Sequence, residues 1–126
     1  MVKTAAGIAT PIINVRFGIN GSIVDASRGV LTFSVQTGVI DEGKFEFWVT
    51  FITVGAGTSA VIQSLGQLQH RLSITGLSLG VAEPKIATSV GFDSTVNNSI
   101  IGISVNGGAS AAWTVNLVQA KLENIN

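Results

Sequence analysis

Residues 99–123 read SIIGISVNGGASAAWTVNLVQAKLE, and this stretch predicts two β-strands around a glycine turn. Apolar residues alternate with a period of two in the first strand, which places three of them on one face: Ile101, Ile103 and Val105. Alternation resumes at Trp113 and shifts by one residue between Leu117 and Val118. The shift predicts either a β-bulge or a strand that is buried on both faces.

Strand patterns recur along the whole chain, whereas amphipathic helix patterns are missing. Besides the hairpin, the predicted strands are Ile12–Phe17, Ile23–Val24, Val30–Val35, Phe45–Val54, Ala60–Leu72, Leu77–Leu79 and Ile86–Val90. In the third of these segments, Leu31, Phe33 and Val35 are expected to face inward, and Thr32, Ser34 and Gln36 outward. The spacing predicts an all-β fold, a jelly-roll-like β-sandwich of about eight antiparallel strands, with an immunoglobulin-like sandwich as the alternative.

The domain is predicted to span residues 12–126, after an N-terminal arm of residues 1–11 that ends at Pro11. A chain of this length fits one domain and buries roughly two-thirds of its unfolded surface. The arm is interpreted either as a frayed terminus or as a segment that becomes ordered on a neighbouring subunit. No run of about 18 apolar residues occurs, so no membrane span is expected.

Charged residues are scarce: they make up 11% of the chain, against about 25% in ordinary soluble domains. Because so few charged residues cannot cover the whole surface of a monomer, part of the uncharged surface is expected to be buried against other copies. Seven basic and seven acidic residues give no net charge and no basic stripe, which argues against nucleic-acid binding. Without cysteine the chain has no disulfide or thiolate metal site, and no metal or cofactor is expected.

The longest predicted strand, Phe45–Val54, is apolar on both faces. One face carries Phe45, Phe47, Val49 and Phe51, and the other carries Trp48, Ile52 and Val54. Either both faces are covered within one chain, or the second face packs against another subunit. The low charge favours the second interpretation, so Trp48, Ile52 and Val54 are predicted to form an oligomer interface.

Catalytic signatures are poor, and the chain is not expected to be an enzyme. His70 is the only histidine, and no Gly-x-Ser-x-Gly segment frames a nucleophile. We therefore interpret His70 as a solvated strand residue. Asp41 and Glu42 lack the spacing of an EF-hand and are interpreted as part of a solvated turn.

Several segments resemble the small virion structural proteins of tailed bacteriophages. Gly91–Val96 and Gly102–Val115 are similar to the C-terminal pattern of that family, whose closing strand ends in Ala-x-Leu, here Ala120–Leu122. Further matches lie between Val15 and Ala26 and over Phe45–Gly57. The similarity thus covers most of the chain, and its motifs are hairpin signatures rather than catalytic ones.

The resemblance implies a homotrimer in the virion, and three functions stay open. The first is a capsid cement or decoration protein on the capsid surface, which binds the major capsid protein of the assembled shell and stabilises it. The second is a receptor-binding or tail-fibre tip domain that recognises a host receptor, and the third is a carbohydrate-binding module. Under the first, Lys3 and Arg16 are predicted to contact the capsid.

Overall fold

A computed structural model describes residues 1–19, 27–97, 99–107, 113–116, 119, 121 and 123. Every regular element in these residues is a β-strand, and no helix occurs among them. The strands are β1 (Val2–Lys3), β2 (Ile12–Ile19), β3 (Ser27–Thr32), β4 (Asp41–Thr53), β5 (Val61–His70), β6 (Lys85–Thr88), β7 (Ser99–Asn106) and β8 (Trp113–Thr114).

The strands form two antiparallel sheets. The larger sheet has the order β6-β5-β4-β1-β8, and the smaller sheet has the order β3-β2-β7. The longest ladder joins β4 to β5, and it contains a bulge between Phe51 and Thr53. The predicted all-β class is confirmed, and the two sheets are consistent with a β-sandwich.

The core lies between the sheets, where β2 faces β4. Ile13, Val15 and Phe17 are on the inward face of β2 and are buried. They pack against the inward row of β4, which consists of Phe45, Phe47, Val49 and Phe51. The rings of Phe17 and Phe51 meet edge to face, with their centroids 6.0 Å apart. Full burial of a large apolar side chain, as at Ile13, contributes about 1.5–3 kcal/mol to folding, and the half-buried side chains of β4 contribute less. Together these contacts hold the two sheets together.

Next to this contact, β3 of the smaller sheet faces β5 and β6 of the larger one. The approach is close because glycine occupies the contact points. A Cβ at Gly66 would lie 2.7 Å from Cδ1 of Leu31, and a Cβ at Gly29 would lie 2.9 Å from Oγ of Ser64. The sandwich therefore stacks β3 over β5 and β6, and β2 over β4.

Most predicted strands are confirmed, with altered ends. The strand predicted at Leu77–Leu79 is wrong, because these residues lie in the loop after β5, where Leu77 is buried. The outward position predicted for Gln36 is also wrong. Its side chain is buried, since β3 ends at Thr32 and the Gln36 N–H donates to the carbonyl of Ala9 at 2.7 Å. The strand predicted at Ile23–Val24, residues 108–110 of the predicted glycine turn, and the predicted shift between Leu117 and Val118 lie outside the described residues.

The predicted N-terminal arm is hydrogen-bonded to the domain. Its residues Val2 and Lys3 form β1, which lies between β4 and β8. The amino group of Met1 donates to the carbonyl of Gly43 at 2.7 Å, and the Met1 carbonyl accepts the Gly43 N–H at 2.9 Å. Pro11 is buried. Residues 1–11 are thus packed on the sandwich in the single chain.

A substitution at Gly43 tests how closely β4 and β5 approach each other. A Cβ here would lie 2.5 Å from the Gln69 carbonyl oxygen and 2.9 Å from the His70 Cα, which are backbone atoms of β5. We expect Gly43→Ala to lower the free energy of unfolding by about 1–3 kcal/mol, as overpacking does. The matching fall in Tm is roughly 4–15 °C, measured by circular dichroism during heating.

Gly102→Ala is the matched control, because Gly102 also lies within a strand and no atom is within 4 Å of an added Cβ there. Its Tm should stay within about 2 °C of the unmodified protein. Equal destabilisation by the two substitutions would contradict the described β4–β5 packing.

Candidate functional site

The first residue of β4 and the last residue of β5 form a buried pair. Antiparallel pairing brings these two strand ends side by side. Nδ1 of His70 lies 2.7 Å from Oδ2 of Asp41. The two side chains are 2% and 0% exposed, respectively. Because an ionised carboxylate only accepts hydrogen bonds, Nδ1 of His70 carries a hydrogen and is the donor of this hydrogen bond.

Two backbone N–H groups also donate to the Asp41 carboxylate. The N–H of Leu77 lies 3.1 Å from Oδ2, and the N–H of Glu42 lies 2.9 Å from Oδ1. Burial by itself raises the pKa of this carboxyl, but the hydrogen bonds from Leu77, His70 and Glu42 together lower the pKa of Asp41 below its ordinary 3.8. Asp41 therefore links β4 and β5 to the loop after β5.

A glycine makes this arrangement possible. Gly76 has a φ of +88°, in the left-handed region that side chains other than glycine rarely adopt. A Cβ at Gly76 would collide with the side chain of Asp41. The loop after β5 can therefore carry its Leu77 N–H up to the carboxylate only with glycine at this position.

The buried pair corrects two predictions, since neither His70 nor Asp41 is solvated. A His–Asp pair is also the orienting half of a Ser-His-Asp triad. Within the described residues, however, Nε2 of His70 is buried and has no hydrogen-bond partner, so no nucleophile is positioned on it. We interpret the pair as a structural link, and the absence of enzymatic activity stays a prediction.

A shallow depression of about 480 Å³ lies beside this pair, between Met1 and the adjoining ends of β4 and β5. Its charged side chains are exposed and pair with neighbours: Arg71 with Glu42 at 3.5 Å and Lys44 with Glu46 at 2.9 Å. In the part of the chain that the structure describes, no group of three His, Cys, Asp or Glu side chains is placed to hold a metal ion. The depression therefore indicates no particular ligand.

Apolar side chains cross the outer face of the larger sheet. Trp48 of β4 lies opposite Leu65 of β5, and Leu65 lies opposite Ile86 of β6. Trp48 is 48% exposed and Ile86 is 66% exposed. Ile52, further along β4, is exposed on the same face. We call these four residues the apolar stripe, and the described part of one chain leaves it largely uncovered.

Polar residues flank the apolar stripe. Glu46 and Gln67 form a pair on one side of Trp48 and Leu65, and Thr50 and Gln63 form a pair on the other side, between Trp48 and Ile52. An aromatic and aliphatic centre with a polar rim is the usual composition of a protein–protein interface. The three residues predicted to form an oligomer interface are all exposed: Trp48 and Ile52 in β4, and Val54 just beyond its end. Their contact with another subunit stays a prediction.

The two residues predicted to contact the capsid lie in different environments. Lys3 is 1% exposed, and its Nζ donates to the carbonyls of Ala5 at 2.7 Å and Val39 at 3.0 Å. Lys3 would have to leave this position to touch another protein. Arg16 is half-buried, and its Nε donates to Oγ of Ser104 at 3.0 Å across the β2–β7 ladder. A capsid contact of Arg16 stays a prediction.

Two loops meet at the end of the sandwich that carries Asp41. The N–H of Thr37 donates to the Gly76 carbonyl at 3.0 Å, and the N–H of Leu79 donates to the Val35 carbonyl at 2.8 Å. Exposed aliphatic side chains project from both loops: Val39, Ile40, Ile74 and Leu79. We call these four residues the loop patch. The sequence patterns did not indicate it, because Val39, Ile40 and Ile74 come from segments without regular alternation and Leu79 was predicted to lie in a strand.

No protein family, curated protein or solved structure matches this chain. Among the described residues, no helix is long and apolar enough to cross a membrane. The resemblance to phage virion proteins therefore rests on the sequence motifs alone.

The acid unfolding of the protein is expected to depend on Asp41. Because the pKa of Asp41 is lowered by folding, its carboxylate stabilises the folded state above pH 3.8 and loses this effect as the pH falls through the folded-state pKa. Asp41→Asn should therefore flatten the fall in the free energy of unfolding below about pH 4. Urea titrations between pH 7 and pH 2 measure this dependence.

Asp93→Asn is the exposed counterpart. The pKa of Asp93 is also lowered, by hydrogen bonds from Thr95 and Gly57, but this carboxylate is solvent-exposed and its effect is screened. We expect Asp93→Asn to remove a smaller share of the pH dependence. A pH profile of Asp41→Asn that is parallel to that of the unmodified protein would contradict the role given to the Asp41–His70 pair.

Proposed function

We propose that this chain is a structural protein of a bacteriophage virion: a capsid cement or decoration protein with a jelly-roll-like fold that binds the assembled shell as a homotrimer. The observation that carries the proposal is the apolar stripe. It places Trp48, Leu65, Ile86 and Ile52 on an outer sheet face that the described residues of one chain leave largely uncovered. Together with the scarcity of charge, this surface favours a chain that works in contact with copies of itself.

In this proposal the subunits of the trimer contact one another through the apolar stripe. The loop patch of each subunit binds the major capsid protein. The loop patch suits such a contact because hydrogen bonds join its two loops, so little ordering entropy is lost on binding. Three patches on one rigid body reinforce one another through effective concentration, so each patch can be small.

A cement protein of this kind acts by occupancy. It binds the assembled shell and not the dissociated capsid subunits, so it raises the stability of the shell by RT ln(1 + [L]/Kd). No catalytic group is required for this effect. The buried Asp41–His70 pair then has the role of keeping the loop patch in place, since Asp41 binds the loop after β5 through Leu77.

One variant tests the oligomer and the function together. Trp48→Asp places a charge in the proposed interface, where an unpaired buried carboxylate is strongly unfavourable. We expect it to reduce the mass measured by sedimentation equilibrium at micromolar concentration from that of a trimer to that of a monomer. Thr32→Asp is the control, because Thr32 is exposed on the outer face of the smaller sheet.

The same two variants are then added to shells that lack the protein. Shells with the unmodified protein or Thr32→Asp should withstand higher temperature and stronger osmotic shock than bare shells, whereas Trp48→Asp should give little protection. A monomeric unmodified protein would contradict the trimer. If virions without the protein are equally robust but no longer adsorb to host cells, the cement function is wrong and receptor binding takes its place.

The receptor-binding alternative has one observation in its favour. Trp48 presents an exposed aromatic surface between the polar rows at Glu46 and Thr50, an arrangement on which a sugar ring stacks. Host adsorption, rather than shell stability, would then be the property lost in Trp48→Asp.

A further inference from the structure

In the part of the chain that the structure describes, one edge of β4 has no strand partner over most of its length. On this side β1 pairs only with Asp41 and Glu42, and Met1 adds two hydrogen bonds to Gly43. In an antiparallel strand, successive residues direct their backbone groups to alternate sides. Since those of Gly43 point towards β1, those of four further residues point the same way: Phe45, Phe47, Val49 and Phe51. Among the described residues, no backbone partner on that side is found for them.

The space beside this edge has a ready-made apolar cover. Because β2 lies over β4, its neighbour β7 lies over the strand position next to β4, which β1 fills only at one end. Ile101 and Ile103 of β7 pair with Phe17 and Val15, so they face inward. They are nevertheless 38% and 48% exposed, whereas the β2 residues they pair with are buried. We call this position, which the described residues leave unfilled, the open lane.

The open lane has room for one extended segment. It does not have room for the whole domain of a second copy. Strands in a sheet are about 4.8 Å apart, and facing sheets are about 10 Å apart. A second copy cannot enter with its own β4, because that strand is already covered by its own β2. That β2 would occupy the space that β7 already fills. The occupant must therefore be a single strand whose inward side chains can meet Ile101 and Ile103.

The chain contains such a segment after β8. In residues 118–123, Val118, Ala120 and Leu122 alternate with Gln119, Lys121 and Glu123, whereas Val115 and Leu117 before them alternate in the opposite phase. The three polar residues are exposed, and the apolar character of the other three is taken from the sequence. Nine residues in strand conformation span about 30 Å. The uncovered part of β4, from Lys44 to Thr53, has a closely similar length.

We propose that residues 115–123 of a second copy fill the open lane as an added antiparallel strand, so that each subunit of the oligomer donates its C-terminal segment to a neighbour. The direction of the strands favours a C-terminal segment from another copy over the segment of the same chain. β8 itself runs parallel to β4, because both strands are antiparallel to β1, so a segment that continued in the direction of β8 would pair with β4 in parallel. β8 also lies two strand positions from β4. A segment from another copy can enter antiparallel, which is the pairing of every other ladder here.

Disulfide trapping tests the exchange, and the chain has no cysteine to interfere. Lys121→Cys, carried on a protein with a purification tag, is mixed with untagged Glu46→Cys or Thr50→Cys. The β4 positions lie on the outer face beside the open lane, so none of the substitutions disturbs the core. A disulfide requires Cα atoms about 4.4–6.8 Å apart, so it reports direct strand pairing. Thr32→Cys on the smaller sheet is the control.

We expect a covalent heterodimer from Lys121→Cys with one of the two β4 variants, at least ten-fold more abundant than with Thr32→Cys. Equal trapping with Thr32→Cys, or no trapping with either β4 variant, would overturn the proposal. So would a double variant, Thr50→Cys with Lys121→Cys, that forms its disulfide only within one chain. The experiment uses purified protein without shells, so its failure leaves the proposed shell-stabilising function untouched, and failure of the shell experiment leaves the exchange untouched.

Discussion

The packing of the inward row of β4 under β2 is the constraint on which the rest of the structure depends. Side chains alternate along a strand, so once Phe47 and Phe51 enter the core, Trp48 and Ile52 must point outward. A shift of one residue would bury Glu46 and expose the phenylalanines. The same packing places β7 beyond the edge of β4, with Ile101 and Ile103 over the open lane. The apolar stripe is therefore a consequence of this register, and the inward residues of β7 over the open lane are a consequence of the same sheet packing.

A second, polar constraint operates at one end of the sandwich. Lys3, Asp41 and His70 are buried there, where an unpaired charge would be strongly destabilising. Carbonyl oxygens accept from Lys3, while backbone N–H groups and His70 donate to Asp41. Such directional contacts fix the loop after β5 in a way that apolar packing alone does not. This end is also where the loop patch lies, so structural order and the proposed contact surface coincide.

The sequence predicted those features that a period of two encodes. The alternation at Leu31 and Phe33, and along β4, was visible because each of these strands has one buried face. The Asp41–His70 pair was not visible, since the two residues are 29 positions apart and meet only through the β4–β5 ladder. The two residues of β1 are too few to show any period, and Gln36 is buried where alternation has already ended.

The candidate surfaces divide in the same way. Trp48, Ile52 and Val54 were predicted from alternation and lie exposed, whereas Lys3 was predicted to contact the capsid as part of the N-terminal arm and lies buried. The open lane could not be predicted, because it depends on strand order: it exists only since β1 is short and lies between β4 and β8. Strand order is set by contacts between distant segments, which no local pattern of one sequence encodes.

Amide hydrogen exchange in β4, resolved by residue, tests the central claim most directly. The N–H groups of Lys44, Glu46, Trp48 and Thr50 point to β5 and should be protected at every protein concentration, which makes them internal standards. The N–H groups of Phe45, Phe47, Val49 and Phe51 should be protected only where the protein is oligomeric, and should exchange at least 100-fold faster on dilution or after removal of residues 115–126. Rapid exchange of these four amides in the concentrated, full-length protein would show that no strand fills the open lane and would contradict the account.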